Sequence, residues 1–221
     1  MVAKDLINYM IPPLKGTDEL VKAQQWMDEF KVAELPVTDQ GEFIGLITDE
    51  AIFDAFENIR YVNEAAIVAQ DAIVSHDKHY YEVLKKAYSL GVRLVAVSDE
   101  NGDYIGVISV EDVVEAFASA SSVQTPGAIL VLSMEMRDYS LSEISRLIES
   151  NDVMILSTHI LPDAAEPGKI QLTIKTNKEE ITHVAATLEA RGFHVAKSYT
   201  NVELTENDQD RYDSLMHYLK I

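Results

Sequence analysis

The sequence predicts an α+β protein that has two tandem helix–strand–strand–helix repeats followed by a second domain with the order βαββαβ. Three observations predict this class. Two stretches about 60 residues apart share one pattern, a small polar segment with a Pro-Gly pair follows residue 118, and strand and helix periods alternate beyond it. With 221 residues and 47% hydrophobic content, the chain is long enough to fill two modest cores.

The repeat is visible when ELPVTDQGEFIGLITDEAIFDA (34–55) is set beside LVAVSDENGDYIGVISVEDVVEA (94–116). Gly45 aligns with Gly106 and Thr48 aligns with Ser109, and 106 − 45 and 109 − 48 both give a spacing of 61. We therefore assign the first repeat to residues 1–60 and the second to residues 61–120.

Each repeat combines an amphipathic helix with a strand pair. Two apolar strands separated by an Asp/Gly turn indicate a β-hairpin, and apolar residues at three- and four-residue spacing indicate a helix before each hairpin. A further helix follows each hairpin directly. The predicted helices before the hairpins are 18–30 and 78–90, and the predicted strands are 35–38, 43–47, 95–98 and 104–108.

The segment SASSVQTPG (119–127) is typical of a domain boundary, and we assign residues 121–127 as a linker. The domain after it, 128–202, has the ferredoxin-like order βαββαβ. Its predicted strands are 128–134, 153–160, 169–176 and 193–199, and its predicted helices are 140–151 and 178–192.

Capping signals support the helices of this second domain. Ser140 precedes Glu143 and Asn177 precedes Glu180 at the three-residue spacing of a capping box, and Gly192 stands where a helix would end. A last helix is predicted at 203–221. Its apolar stripe, expected to pack on this chain or on a partner, contains Tyr212, Leu215, Met216 and Leu219.

Composition excludes several classes of function. With 18 Lys and Arg against 37 Asp and Glu, the net charge of −19 repels nucleic acids and anionic membrane surfaces. There is no cysteine, no apolar run of signal-peptide length at the start and no apolar run of about 18 residues, so we expect a cytoplasmic protein. No catalytic grouping is visible, and His76 and His79 lack a third metal ligand. We therefore predict no enzymatic activity, no metal site and no obligatory cofactor.

The stretch GVISVED (106–112) is the candidate site, because Ser109 stands three residues before Asp112 where a strand gives way to a helix. Two interpretations stay open. The hydroxyl and the helix start can hold a phosphate while the carboxylate accepts hydrogen bonds from a ribose diol. Alternatively, the same pair serves only as a helix cap.

A 60-residue tandem repeat that ends in G-h-h-[ST]-x-x-D, where h is apolar, resembles a pair of CBS domains over residues 1–120. Residues 128–200 resemble an ACT domain, and the combined order is similar to that of acetoin-utilisation-type regulatory proteins. In CBS domains the [ST]-x-x-D signature binds adenosyl ligands. The resemblance implies a second-repeat site formed by Ser109, Asp112, Val74, Ser75, Leu94 and Val95.

The same resemblance implies a weaker first-repeat site. Thr48 is present there, but the residue at the Asp position is Ala51, so the ribose clamp is missing. At most one good adenosyl site per chain follows. The basic residues that the fold could bring near a phosphate are Lys4, Lys15, Lys78 and Arg93.

We therefore expect a non-enzymatic regulatory protein that forms homodimers and binds an adenosine-containing ligand such as AMP, ATP or S-adenosylmethionine. The acidic charge favours S-adenosylmethionine or AMP over ATP. Two alternatives remain. One is a ligand-free dimerisation module that docks on a regulated enzyme or transporter, and the other is an amino-acid sensor that works through paired ACT domains. In the second alternative, Ser140 stands near the loop position where amino-acid-binding ACT domains typically carry Gly.

Overall fold

The computed structural model describes residues 1–55 and 59–200. The chain divides into two compact units, Met1–Phe117 and Ala118–Ile221, and each is described by itself. The helix predicted at 203–221 lies outside the described residues. Among those residues, none of the helices combines the length and the apolar character needed to cross a membrane.

The first repeat is a three-stranded sheet with two helices. Strand β2 is the central strand; it pairs in parallel with the short β1 and antiparallel with β3. A 3-10 turn at Ala3–Leu6 precedes the repeat. Its elements are β1 Leu14–Lys15, α1 Leu20–Phe30, β2 Glu34–Asp39, β3 Glu42–Thr48 and α2 Asp49–Ala55.

The second repeat has the same order and the same pairing. Strand β5 is central, parallel to β4 and antiparallel to β6. Its elements are β4 Ile73–Ser75, α3 Tyr80–Leu90, β5 Leu94–Ser98, β6 Tyr104–Ser109 and α4 Val110–Ala120. Both predicted hairpins and their flanking helices are confirmed. The short parallel strands β1 and β4 are additions that the sequence pattern did not indicate.

The two repeats exchange the segments that lead into them. Asn8, which precedes β1 of the first repeat, forms a bridge with Val107 of β6, and Val68, which precedes β4 of the second, forms a bridge with Leu46 of β3. Each hairpin is thus covered by the other repeat's leading segment. One apolar core contains buried residues of both repeats, for example Leu35 and Leu94.

This exchange explains the glycine of the repeated motif. We call the segments around Asn8 and Val68, which pair with the other repeat's hairpin, the crossing segments. Gly106 has φ of +155°, and a Cβ there would overlap Cγ2 of Ile7 in the first crossing segment. Gly45 has φ of +138°, and its Cβ would lie 2.5 Å from Ile67 Cγ2 and 2.6 Å from the carbonyl oxygen of Val68. Only a residue without a side chain permits this approach of the backbone.

The second unit is one antiparallel sheet in the order β10-β7-β9-β8. This is a βαββαβ chain with its first and third strands in the centre. A core including Leu130, Ile144, Leu172 and Leu188 joins the sheet to both helices. The elements are β7 Ile129–Glu135, α5 Leu141–Glu149, β8 Ile155–Pro162, β9 Lys169–Thr176, α6 Thr182–Ala190 and β10 His194–Tyr199.

The helix predicted at 178–192 begins later than expected, at Thr182. The predicted capping box of Asn177 and Glu180 is wrong, because Asn177 Oδ1 accepts a hydrogen bond from the N–H of Met154 at 2.8 Å instead. Glu180 Oε1 accepts from the N–H of Thr182. At Ser140 the N-cap half of the predicted capping box is confirmed, since Ser140 Oγ accepts from the N–H of Glu143 at 3.4 Å.

Candidate functional site

Ser109 ends strand β6 and directly precedes helix α4, and it is 6% exposed. Ser109 is buried because it follows Val107 and Ile108, which are fully buried in the apolar core. Ser109 Oγ accepts a hydrogen bond from the N–H of Asp112 at 3.0 Å. The hydroxyl therefore caps the helix.

Asp112 lies in the first turn of α4 and turns back onto Ser109. Its Oδ2 accepts hydrogen bonds from the N–H of Ser109 at 3.0 Å and from the hydroxyl of Ser109 at 2.5 Å. The pair is a reciprocal capping box with Asp in the place of the usual Glu. The cap interpretation is thus realised in the structure. The cap does not occupy Oδ1, which contacts Asn8.

Asn8 is a site residue that the sequence pattern did not reveal. Its amide Nδ2 lies 3.3 Å from Oδ2 and 3.4 Å from Oδ1 of Asp112, and the two residues are 104 positions apart. A contact this distant gives no local periodicity. The available signal was the repeat itself, because the crossing segments place Asn8 and Val68 at equivalent positions.

The first repeat lacks the acidic half of this arrangement. Thr48 Oγ1 accepts a hydrogen bond from the N–H of Ala51 at 3.1 Å, so Thr48 caps α2 as Ser109 caps α4. Ala51 has no carboxylate that could accept a hydrogen bond from Thr48, as Asp112 does from Ser109. The structure therefore places Thr48 at a helix start without the ribose acceptor that Asp112 would supply.

Leu94 pairs directly with Ser109 across the β5–β6 ladder, and Val95 pairs with Ile108. Both predicted slot residues belong to the core, with exposures of 1% and 0%. At this end of the strand their backbone is next to the helix start, while their side chains point into apolar packing. The N–H of Leu94 donates to Oε2 of the buried Glu34 at 3.1 Å.

Val74 and Ser75 lie at the opposite end of β5, because Val74 pairs with Val97 and Ser75 with Ser98. Val97 and Ser98 stand three and four residues after Leu94, so these two predicted residues are separated from Leu94 by about 10–13 Å along the sheet. Ser75 Oγ donates to Asp77 Oδ1 at 2.7 Å. That hydrogen bond holds the pKa of the Asp77 carboxyl below its usual range.

The local charge at the helix start is negative. Glu111 and Asp112 both lie in the first turn of α4, where they interact favourably with the helix dipole. The four basic candidates, Lys4, Lys15, Lys78 and Arg93, have exposed side chains. The acidic first turn suits a ligand of low negative charge better than a triphosphate.

An open cavity of about 1280 Å³ lies elsewhere in this unit, beside α1 and α2. None of the seven predicted site residues lines it. Its charged lining consists of Asp28, Lys31, Asp49, Glu50, Asp54 and Arg93. The cavity and the Ser109–Asp112 pair are therefore different features of the surface.

The segment that holds the Ser109–Asp112 pair matches a known family. Residues 67–119 match the model of the CBS domain. The match begins in the crossing segment at Ile67 and ends in α4, so it includes the complete hairpin and the capping pair. Together with the equivalent first repeat, the unit has a mixed α+β, CBS-pair-like structure.

Solved structures of CBS proteins are similar at low identity. A CBS domain pair/ACT domain protein from Thermotoga maritima is 21% identical, with a TM-score of 0.49 over 54% of this chain and 98% of that chain. CBSX2 in complex with AMP is 17% identical, with a TM-score of 0.46 over 53% and 96%. A CBS domain pair in complex with 5′-methylthioadenosine and S-adenosyl-L-methionine is 21% identical, with a TM-score of 0.44 over 54% and 97%. Identities this low say nothing about the ligand of this chain.

Proposed function

We propose that this protein is a non-enzymatic regulatory protein that binds one adenosine-containing small molecule per chain at the Ser109–Asp112 helix start. The single observation that carries the proposal is the position of Asp112 within a segment that matches the CBS domain. Its carboxylate is fixed by the cap, and Oδ1 keeps acceptor capacity for a ribose hydroxyl.

The first repeat supports a single site rather than two. Ala51 replaces the carboxylate, so the hydroxyl of Thr48 caps α2 without an acidic partner of the kind that Asp112 provides for Ser109. The acidic first turn of α4 and the net charge of −19 favour S-adenosylmethionine or AMP over ATP. No obligatory cofactor, catalytic group or metal is part of the proposal.

The second unit is proposed to be an ACT-like domain, and the whole protein to be a cytoplasmic homodimer. The support is the order βαββαβ with the sheet order β10-β7-β9-β8. Among the described residues, the outer strands β8 and β10 each pair on one side only, and pairing between two copies would cover their free edges.

A second candidate function has its own support. Because Ser109 and Asp112 already satisfy each other, the pair is complete as a cap without any ligand. A ligand-free module that docks on a regulated enzyme or transporter would retain these same contacts. The two candidates differ in whether the wild-type protein is stabilised by adenosine compounds.

The test is thermal unfolding of the full chain with AMP, ATP, S-adenosylmethionine and single amino acids. A ligand at 100 times its dissociation constant adds about 2.7 kcal/mol, and each kcal/mol raises the midpoint by roughly 2–4 °C. We expect a shift with an adenosine compound that is retained in Thr48→Ala. No shift with any of them would favour the ligand-free module, and a shift only with an amino acid would favour an ACT-based sensor.

Substitution of Asp112 alone does not separate these candidates. Asp112→Ala keeps the bond from the backbone N–H of residue 112 to Ser109 Oγ, but it removes the carboxylate that accepts from Ser109 as well as the proposed ribose contact, so it should lower the midpoint under either hypothesis. The decisive comparison changes the ligand instead. Replacing the probe by its 2′,3′-dideoxy analogue removes the ribose hydroxyls and leaves the protein intact.

A further inference from the structure

We propose that Asn8 is a positioning residue of the adenosyl site, which makes the second-repeat site dependent on the segment that leads into β1 of the first repeat. This inference rests on the proposed function. It adds a residue that lies far outside the segment matching the CBS domain, since that segment begins at residue 67.

The backbone fixes Asn8 beside the motif. Its N–H donates to the carbonyl of Val107 at 2.8 Å, and the two residues form an isolated bridge. Val107 stands two residues before Ser109 on the same strand. This pairing of the crossing segment with β6 therefore places the Asn8 side chain beside the start of α4.

The orientation of the amide is also fixed. Asn8 Oδ1 accepts a hydrogen bond from the N–H of Met10 at 3.0 Å. This assigns the oxygen to the turn and leaves the NH₂ group facing Asp112, at 3.3 Å from Oδ2 and 3.4 Å from Oδ1. Donating toward both oxygens, the amide holds the plane of the carboxylate.

The two carboxylate oxygens are unequally occupied. Oδ2 of Asp112 accepts from the N–H and the hydroxyl of Ser109 and from Asn8. Oδ1 has one long contact within the described part of the chain, with Asn8. Oδ1 is therefore the acceptor for a ligand hydroxyl, and Asn8 determines the direction in which it points.

The first repeat provides an internal comparison. Val68 forms the bridge with Leu46 that Asn8 forms with Val107, and Ala51 occupies the position of Asp112. Amide and carboxylate are thus both replaced by apolar residues in the repeat that lacks the ribose clamp. The two repeats thus differ at both positions together: Asn8 and Asp112 in the second-repeat site correspond to Val68 and Ala51 in the first.

Isothermal titration calorimetry of the full chain with AMP and with S-adenosylmethionine tests this role. Asn8→Ala should weaken binding roughly tenfold, the scale of one lost hydrogen bond to a charged group. Asn8→Ser removes the amide donor but keeps an oxygen for the Met10 turn, and it should weaken binding equally. Val68→Ala, the matched control, should leave affinity within about twofold of the wild type.

The readout specific to positioning is the ligand hydroxyl. The effect of Asn8→Ala should vanish with the 2′,3′-dideoxy analogue of the same probe, because Oδ1 then has no hydroxyl to meet. Wild-type affinity in Asn8→Ser, or an equal loss for both forms of the probe, would overturn the role of Asn8 and leave the proposed function intact. Absence of binding by the wild type would overturn both.

Discussion

Glu34 and Leu94 occupy equivalent positions at the start of the central strands of the two repeats, and the side chain of one binds the backbone of the other. Glu34 pairs with Thr48 as Leu94 pairs with Ser109. Oε2 of Glu34, which is 9% exposed, accepts the N–H of Leu94 at 3.1 Å and the N–H of Arg93 at 2.9 Å. A buried carboxylate thus joins the two hairpins.

We expect Glu34→Ala to destabilise the protein by about 1–3 kcal/mol, because it leaves two backbone N–H groups without their acceptor. Glu34→Gln keeps an acceptor oxygen and should cost less. Urea unfolding measures both. Glu42→Ala, at an exposed position on the neighbouring strand, is the control and should change the free energy of unfolding by no more than about 0.5 kcal/mol. Equal effects of Glu34→Ala and Glu42→Ala would contradict a joining role.

The glycine of the repeated motif should be sensitive for a packing reason. Gly106→Ala should cost more stability than Gly102→Ala, since Gly102 also has positive φ but has open space where a Cβ would stand. The positive φ alone should cost an Ala at either position about 1–2 kcal/mol of unfolding free energy. In an Ile7→Ala background the extra cost of Gly106→Ala should shrink, because Ile7 is the obstructing residue.

Gly45→Ala should behave differently in the matching experiment. The carbonyl oxygen of Val68 obstructs its Cβ along with Ile67, so Ile67→Ala should give little relief. Double-mutant cycles from urea unfolding measure both coupling energies. Equal relief at the two glycines would contradict the described course of the crossing segments.

Ser75→Ala should raise the pKa of Asp77 toward its ordinary value, because the Ser75 hydroxyl is the main cause that lowers it. A depressed carboxyl pKa stabilises the fold above the unfolded pKa, and this stability is lost as the pH falls through the folded pKa. NMR titration of the Asp77 carboxyl carbon measures the change. Asp163, whose pKa is held low by the Gln171 amide, should titrate as in the wild type.

Alkaline stability should depend on Tyr104. Burial raises the pKa of its phenol, and its ring stacks on Phe43 with centroids 6.4 Å apart. The unfolded phenol ionises near pH 10, so stability is full below that pH and falls as the pH rises toward the folded pKa. Tyr104→Phe should lose less stability between pH 8 and pH 11 in urea unfolding. Tyr9→Phe, at an 80% exposed residue, should follow the wild type, and an equal loss in all three proteins would contradict the prediction.

Local pattern accounts for most of the architecture. The hairpins, their helices and the βαββαβ order follow from apolar periods and turn residues, as the buried Leu35 and Leu94 illustrate. The strands β1 and β4 have two and three residues, too few for a period. The start of α6 differs from the prediction because Asn177 bonds to Met154, 23 residues away.

The candidate site was predictable only in part. The Ser109–Asp112 pair is contiguous and repeated, and therefore visible in the sequence. Asn8 reaches Asp112 from the segment that leads into β1, at a separation of 104 residues. Glu34 of the first repeat bonds to the backbone of Leu94, at a separation of 60 residues. Such contacts depend on how the hairpins pack against each other. Comparing Asn8 with Val68, which are 60 positions apart and so one position short of the 61-residue spacing of the glycines, is a signal that could have found the first of them.

The most direct test of the central claim is a crystal structure of the full chain with AMP or S-adenosylmethionine, whichever stabilises it. We expect one nucleoside per chain in the second repeat, with a ribose hydroxyl within hydrogen-bond distance of Asp112 Oδ1 and the Asn8 amide still beside it. A nucleoside whose ribose lies at Thr48, or in the cavity beside α1 and α2, with Asp112 left as a cap alone, would contradict the claim.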